Sequence, residues 1–319
     1  MFTDHRYPAA GESGAGMHPR TFPSGSGYHV QDLLARGLAE EGHEVFYHLG
    51  QGTDCPLPPG VHLVSEHVRD VDIGHALAGP PRFADSMLEF GARHRIPCVL
   101  TCHMLRPGIS AAPNWLFVSR SLAIAHGFDR FILNGLDPND YVFSEVKQDY
   151  LLFISAMDRA MDKGLGLALA LSRREGFRLV VAGTGRTYEA IRDVSDLCEA
   201  SGVEYLGDVR GRRKAELIAG ARAVLFPSRL SEGCSLVLLE AMLSGTPVIS
   251  SSSGGSVEVV TPETGILCNS HEEWGRALNR LDSISPARCR AIGLEKFHYK
   301  RMVKDYLREY RRELETSRA

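Results

Sequence analysis

Residues 225–260 read LFPSRLSEGCSLVLLEAMLSGTPVISSSSGGSVEVV, and their pattern sets the fold class. The strand-like AVLF ends at Pro227, and a polar loop follows with Ser228, Ser231, Glu232 and Gly233. SLVLLEAML is apolar nearly all round at helical spacing, which predicts a buried helix. Gly245, Thr246 and Pro247 stop that helix, and VIS opens another strand. Strand, loop, buried helix and strand together form one unit of a parallel sheet.

The same alternation continues outward in both directions. The first half offers strand-like EVFYHL, VHLV, CVLTC, WLFVS and FILNG; the second offers YLLFIS, FRLVVAG, VEYLG, AVLFPS and TPVISS. Helical patterns such as VQDLLARGLAEEG, LGLALALSRREG and RKAELIAGA lie between them. This predicts an α/β chain with two doubly wound, Rossmann-like domains. The polar SEVKQDY at 144–150 follows the turn-rich NGLDPND and separates the two sets. The expected division is a first domain over 1–146, a second over 147–290 and a terminal helix within 291–319. That helix, from about Glu295 to Glu315, carries Phe297, Met302, Val303, Tyr306, Leu307 and Tyr310 on one stripe, and is expected to bridge the lobes. The first half lacks an obvious opening strand, since only Met1, Phe2 and Thr3 precede DHRYP.

Bulk properties exclude several function classes. The chain has 319 residues, 44% hydrophobic and 24% charged, as in soluble globular proteins. A net charge of −3 gives no global basic field for nucleic acid. No apolar run reaches the roughly 18 residues of a membrane span, and MFTDHRYPAA has no signal-peptide core. Seven scattered cysteines, an odd number, argue against a disulfide framework and point to the reducing cytoplasm. Cys98, Cys102 and His103 have metal-like spacing but sit in the buried-strand pattern IPCVLTCHML with no second ligand cluster, so no metal is expected.

The helix tip from Gly233 to Val237 is the first candidate site. Unpaired amides and the helix dipole favour an anion there, and Gly233 permits close approach. Ser235 adds a hydroxyl, while Cys234, Leu236 and Val237 contribute backbone. A diphosphate at the tip would leave Glu240 to accept from a ribose hydroxyl and Glu232 to face a sugar. The plainer alternative makes Glu232 and Ser231 ordinary helix caps. Glu240, on so apolar a helix, needs a partner if it is buried.

This segment resembles the Glu-x7-Glu signature of retaining GT-B glycosyltransferases, especially family 4, here Glu232 to Glu240 followed by EAMLSGTPVI. The resemblance implies a GT-B fold and a nucleotide-diphosphate-sugar donor. It also implies that Glu232 contacts the donor sugar and Glu240 the ribose. Cys234-Ser235 departs from the Phe-Gly often found there. In FISAMDRAMDKGLGLAL, Lys163-Gly164 matches the family's phosphate-neutralising lysine. Arg159 lies a few residues beyond the usual arginine position near Ala156. RLVVAGTGRTYEA resembles a glycine turn by the donor, with Gly183; Tyr188 breaks a nicotinamide-type GxGxxG. VEYLGDVRGRRKAEL resembles the base-recognising segment around Gly207 and Val209. Its cluster Arg210, Arg212, Arg213 and Lys214 reads as a solvated helix start, with a phosphate or partner contact as the alternative.

In the first half, FPSGSGYHVQDLLARGLAEEGHEVFYH resembles the family's glycine loop, at Gly25, Ser26 and Gly27, followed by its helix and strand. VLTCHML places His103 where related enzymes hold a histidine near the donor sugar, and His75 in VDIGHALAG is a weaker candidate at another strand end. Ser119 in FVSRSLA and Asn134-Gly135 in ILNGLD also match. The implied activity is metal-independent, cofactor-free transfer with net retention from the nucleotide sugar to a small-molecule, glycan or lipid-linked acceptor. Nucleic acid is not expected as a partner, and an intramolecular role for the terminal helix is preferred to membrane contact. The alternatives are a GT-B-shaped epimerase, a phosphorylase, or a catalytically degenerate nucleotide-sugar-binding subunit.

Overall fold

The structure, a computed structural model, describes residues 1–3, 27–49, 53, 56–77, 81–105 and 114–318. The first half contains β1 (Phe2–Thr3), α1 (Gly27–Glu40), β2 (Val45–Leu49), β3 (Val61–Val64), β4 (Gly74–Leu77), α2 (Pro81–His94), β5 (Cys98–Cys102), β6 (Trp115–Phe117) and α3 (Arg120–Ala125). The second half continues with β7 (Leu151–Ile154), α4 (Leu165–Glu175), β8 (Leu179–Ala182), α5 (Tyr188–Ala200), β9 (Glu204–Tyr205), α6 (Gly211–Gly220) and β10 (Ala223–Phe226). It ends with α7 (Leu236–Leu243), β11 (Val248–Ser251), α8 (Ser256–Val259), β12 (Gly265–Cys268), α9 (His271–Leu278), α10 (Pro286–Phe297) and α11 (Tyr299–Arg318).

Two six-stranded parallel sheets result, ordered β3-β2-β1-β4-β5-β6 and β12-β11-β10-β7-β8-β9. Counted within each half, both follow the doubly wound order 3-2-1-4-5-6, so the order reverses between β1 and β4 and again between β7 and β10. Central strands are buried along their whole length, as in β5 and β10, because helices cover both faces. β1 is a two-residue strand at the middle of the first sheet, paired with both β2 and β4. FILNG forms no strand; Phe131 makes a single bridge to Phe117. β12, which pairs with β11 at a sheet edge, lies in a stretch the strand pattern had not marked.

The terminal helix is broken in two, which corrects the expectation of one continuous helix. His298 is extended, and its neighbours bond to the first half of the chain: Leu136 N–H donates to Phe297 O at 2.8 Å, and Tyr299 N–H to Leu136 O at 2.9 Å. α10 therefore packs on α7, and α11 crosses to α1, where Val303 lies against Gly37. The predicted stripe is the buried face of α11, with Met302, Val303, Tyr306 and Tyr310 inside. Arg130 anchors the same helix through Glu309 and Glu313. Among the described residues, no helix is long and apolar enough to cross a membrane.

Candidate functional site

The crevice between β7 and β10 is where an open α/β sheet offers a ligand the ends of two diverging loops. The loop after β7 carries Lys163 and the loop after β10 carries Glu232, and these two side chains form a direct ion pair. They are 19% and 18% exposed, enough for a ligand to reach and too little for water to screen fully. The Ser228 hydroxyl donates to the same carboxylate oxygen at 3.1 Å. Gly164 fixes the lysine's position: its φ is +89°, and a Cβ there would stand 2.0 Å from Pro227 O. The Lys-Gly dipeptide therefore docks one loop on the other.

α7 starts immediately beyond. Ser235 is its N-cap residue, with an extended backbone and no side-chain capping bond. Leu236 and Cys234 are buried, and burial pushes the Cys234 thiol up to about 12, so it stays protonated. Glu240, in the second turn, is only 5% exposed. The partner that burial demands is Lys214, whose ammonium donates at 2.7 Å; the Tyr141 phenol is held well above its ordinary pKa first by burial and then by the Glu240 charge. Lys214 is the member of the basic cluster that turns inward. Arg210 pairs with Asp208, and Arg212 pairs with Glu216 at 2.7 Å on the surface.

The first lobe closes on this edge. His103 follows β5, and burial holds its imidazole down at about 4, so it is neutral near pH 7. A Cβ on Gly27 would meet the His103 ring at 3.0 Å, and one on Gly233 would stand 2.9 Å from His103 O. Gly27, His103 and Gly233 thus meet across the cleft. Gly25 and Ser26 lie outside the described residues. Asn134, 3% exposed, donates from Nδ2 to Cys234 O at 3.0 Å, tying the loop ahead of α7 to the chain's first half. Ser119 caps α3 by accepting from Leu122 N–H at 3.2 Å.

Gly183 and Gly207 end neighbouring strands, and Gly183 N–H donates to Gly207 O at 2.8 Å. Val209, two residues on, is buried. Arg159 stands apart from the Lys163–Glu232 pair: it is 53% exposed and lies 3.8 Å from Asp162. His75 is not at a strand end. It is the second residue of β4, completely enclosed, with one ring nitrogen on the Tyr310 hydroxyl and the other 2.8 Å from Thr101 Oγ1. That ring holds α11 to the sheet. Cys98 and Cys102 donate their thiols to backbone carbonyls, and burial raises Cys98 to about 11. A cavity of about 460 Å³ between β2, β4, α2 and α11 is lined by none of Lys163, Glu232, Lys214 and Glu240.

The family model described as glycosyl transferases group 1 matches residues 148–283, the stretch that holds Lys163, Glu232 and Glu240. A D-inositol 3-phosphate glycosyltransferase of Rhodococcus opacus is 34% identical over 172 residues, covering 50% of this chain and 37% of that protein. A GDP-mannose-dependent monoacylated alpha-(1-6)-phosphatidylinositol monomannoside mannosyltransferase of Corynebacterium glutamicum is 32% identical over 103 residues, 30% of this chain and 27% of that one. The chain thus matches well under half the length of these curated relatives. The structure of AviGT4, a glycosyltransferase involved in avilamycin A biosynthesis, superposes with a TM-score of 0.70 at 26% identity, over 92% of this chain and 91% of that chain. HepE from Anabaena, solved with UDP, shares the fold at 16% identity and a TM-score of 0.70, over 97% and 98% of the two chains.

Proposed function

We propose that the chain transfers a sugar from a nucleoside diphosphate to an acceptor, with net retention and without a metal; the match of residues 148–283 to the glycosyl transferases group 1 model supports this reading. The observation that carries this reading is the Lys163–Glu232 pair at the β7/β10 crevice, directly ahead of the α7 tip. Breaking the bond between an anomeric carbon and a diphosphate develops negative charge on the leaving oxygen and positive charge on the sugar. Lys163 and the first amides of α7 supply fixed positive potential where the leaving charge grows. When phosphate takes the ammonium, Glu232 is released to accept from sugar hydroxyls. Glu240, oriented by Lys214, accepts from the ribose. His103, neutral near pH 7, contacts the reacting sugar as a hydrogen-bonding group and not as a cation. With the basic groups meeting the diphosphate, a divalent ion is not required.

One relative's name specifies GDP-mannose and HepE was solved with UDP, so the base is tested by a panel. The protein is incubated with uridine, thymidine, guanosine and adenosine diphosphate sugars, with and without glycan, inositol and lipid-linked acceptors. We expect nucleoside diphosphate release that depends on acceptor, persists in EDTA and gives a product of unchanged anomeric configuration by NMR. Sugar isomerisation without acceptor would show an epimerase instead. A strict need for inorganic phosphate would show a phosphorylase. Binding with no turnover under any condition would leave a binding subunit.

A further inference from the structure

Glu258 lies in α8, on the donor side of the cleft, yet its carboxylate reaches the N-terminus of α3 in the other lobe. It accepts from the Arg120 and Ser121 amides at 2.7 Å each, and it shares the Ser121 hydroxyl with Gly254 O, which lies 3.1 Å from that hydroxyl. Ser119 takes the Leu122 amide. Two of the three amides met at this helix tip are therefore satisfied by the opposite lobe.

The contact continues behind Glu258. Gly255 N–H donates to Glu232 O at 2.8 Å. A Cβ on Gly255 would stand 1.5 Å from Gly233 O and 3.2 Å from the Ser119 Cβ, so only glycine lets the two loops and α3 stack this closely. From α3 through Glu258 and Gly255 to Glu232 and Lys163 there is one unbroken series of contacts.

We propose that Glu258 is a positioning residue that latches the lobes closed and thereby seats Glu232 for reaction; the seating half of this rests on the transferase reading above, and the latch does not. The chemistry suits a reversible catch. When the lobes part, the carboxylate and both amides exchange partner for water, so the net preference for closure stays modest. Closure in turn excludes water from the crevice.

The test compares Glu258→Ala and Ser121→Ala with wild type by hydrogen exchange of peptides spanning 119–126, by nucleoside diphosphate titration, and by turnover. Glu258→Ala should speed exchange at Arg120 and Ser121 by about 10- to 100-fold, leave nucleotide affinity within about two-fold, and lower kcat at least about ten-fold with the donor KM little changed. Ser121→Ala, altered only on the acceptor side, should move the same readouts in the same direction by less. Unchanged exchange at 119–126 in a folded Glu258→Ala protein would overturn the latch. Nucleotide affinity falling in step with kcat would overturn it too, by making Glu258 part of the donor lobe's own structure. Absence of turnover in wild type with every donor would sink the transferase reading, while the exchange data still decide the latch.

Discussion

Glu232 and Glu240 are held by different lysines for different physical reasons. Glu240 is nearly enclosed, and removing either partner would strand a charge away from water. Glu232 keeps an opening to solvent, so its pairing with Lys163 can be exchanged for ligand contacts. The need of Glu240 for a partner was legible from the apolar residues around it. That the partner is Lys214 was not, because the α6–α7 contact is set by tertiary packing and Lys214 reads like its solvated neighbours. Burial lowers His29 and His103 to about 4 and His75 to about 3, from 6.5. Each is neutral in the fold where the unfolded chain would be protonated. Their stabilisation is complete above about pH 6.5 and is lost as pH falls towards 4. Asp140, raised to about 6 chiefly by burial and then by Asp137, works in the opposite sense, holding in the fold a proton that the unfolded chain releases. From these four groups together, unfolding at pH 5 should take up about two protons. Urea midpoints measured from pH 7 to pH 4 should fall accordingly; a flat profile would contradict the buried neutral imidazoles.

The elements that position the site are those with the clearest sequence signatures. The segment from β10 to β11 was legible because its helix is apolar on every side and its ends are marked by Gly245 and Pro247. β9 was legible too, as a strand between two helices. The pattern missed the break at His298, because a helix that switches partner from α7 to α1 keeps an apolar stripe throughout. It also marked FILNG as a strand, although Arg301 takes the Leu133 and Asn134 carbonyls that a neighbouring strand would have used. Two glycines test how tightly the loops are stacked. Gly166 lies in α4 with only the end of Met161 at 3.3 Å, so Gly166→Ala should stabilise by about 0.5–1 kcal/mol. Gly255→Ala would drive a methyl into Gly233 O and should destabilise by about 1–3 kcal/mol or more. Urea denaturation of the two variants should move in opposite directions; a neutral Gly255→Ala would mean the loops have room to separate.

At the scale of the whole molecule, two sheets of identical strand order face each other, and α10 and α11 close the circuit between them. The doubly wound class and the two-lobe plan follow from the repeated strand–helix alternation. The first lobe was less legible than the second for a physical reason. A diphosphate imposes one recognisable arrangement of lysine, helix tip and carboxylates, whereas an acceptor is met by whatever surface fits it. His103 lies against Gly27 and Gly233, neighbours distant in sequence that only the tertiary packing brings together. The most direct test of the account is calorimetric titration of the matching nucleoside diphosphate into wild type, Lys163→Ala and Glu240→Gln, with circular dichroism confirming the fold of each. Each substitution should weaken binding at least about ten-fold, or roughly 1.4 kcal/mol, in a protein that remains folded. Wild-type affinity in both variants, or no affinity of the native protein for any nucleoside diphosphate, would contradict it.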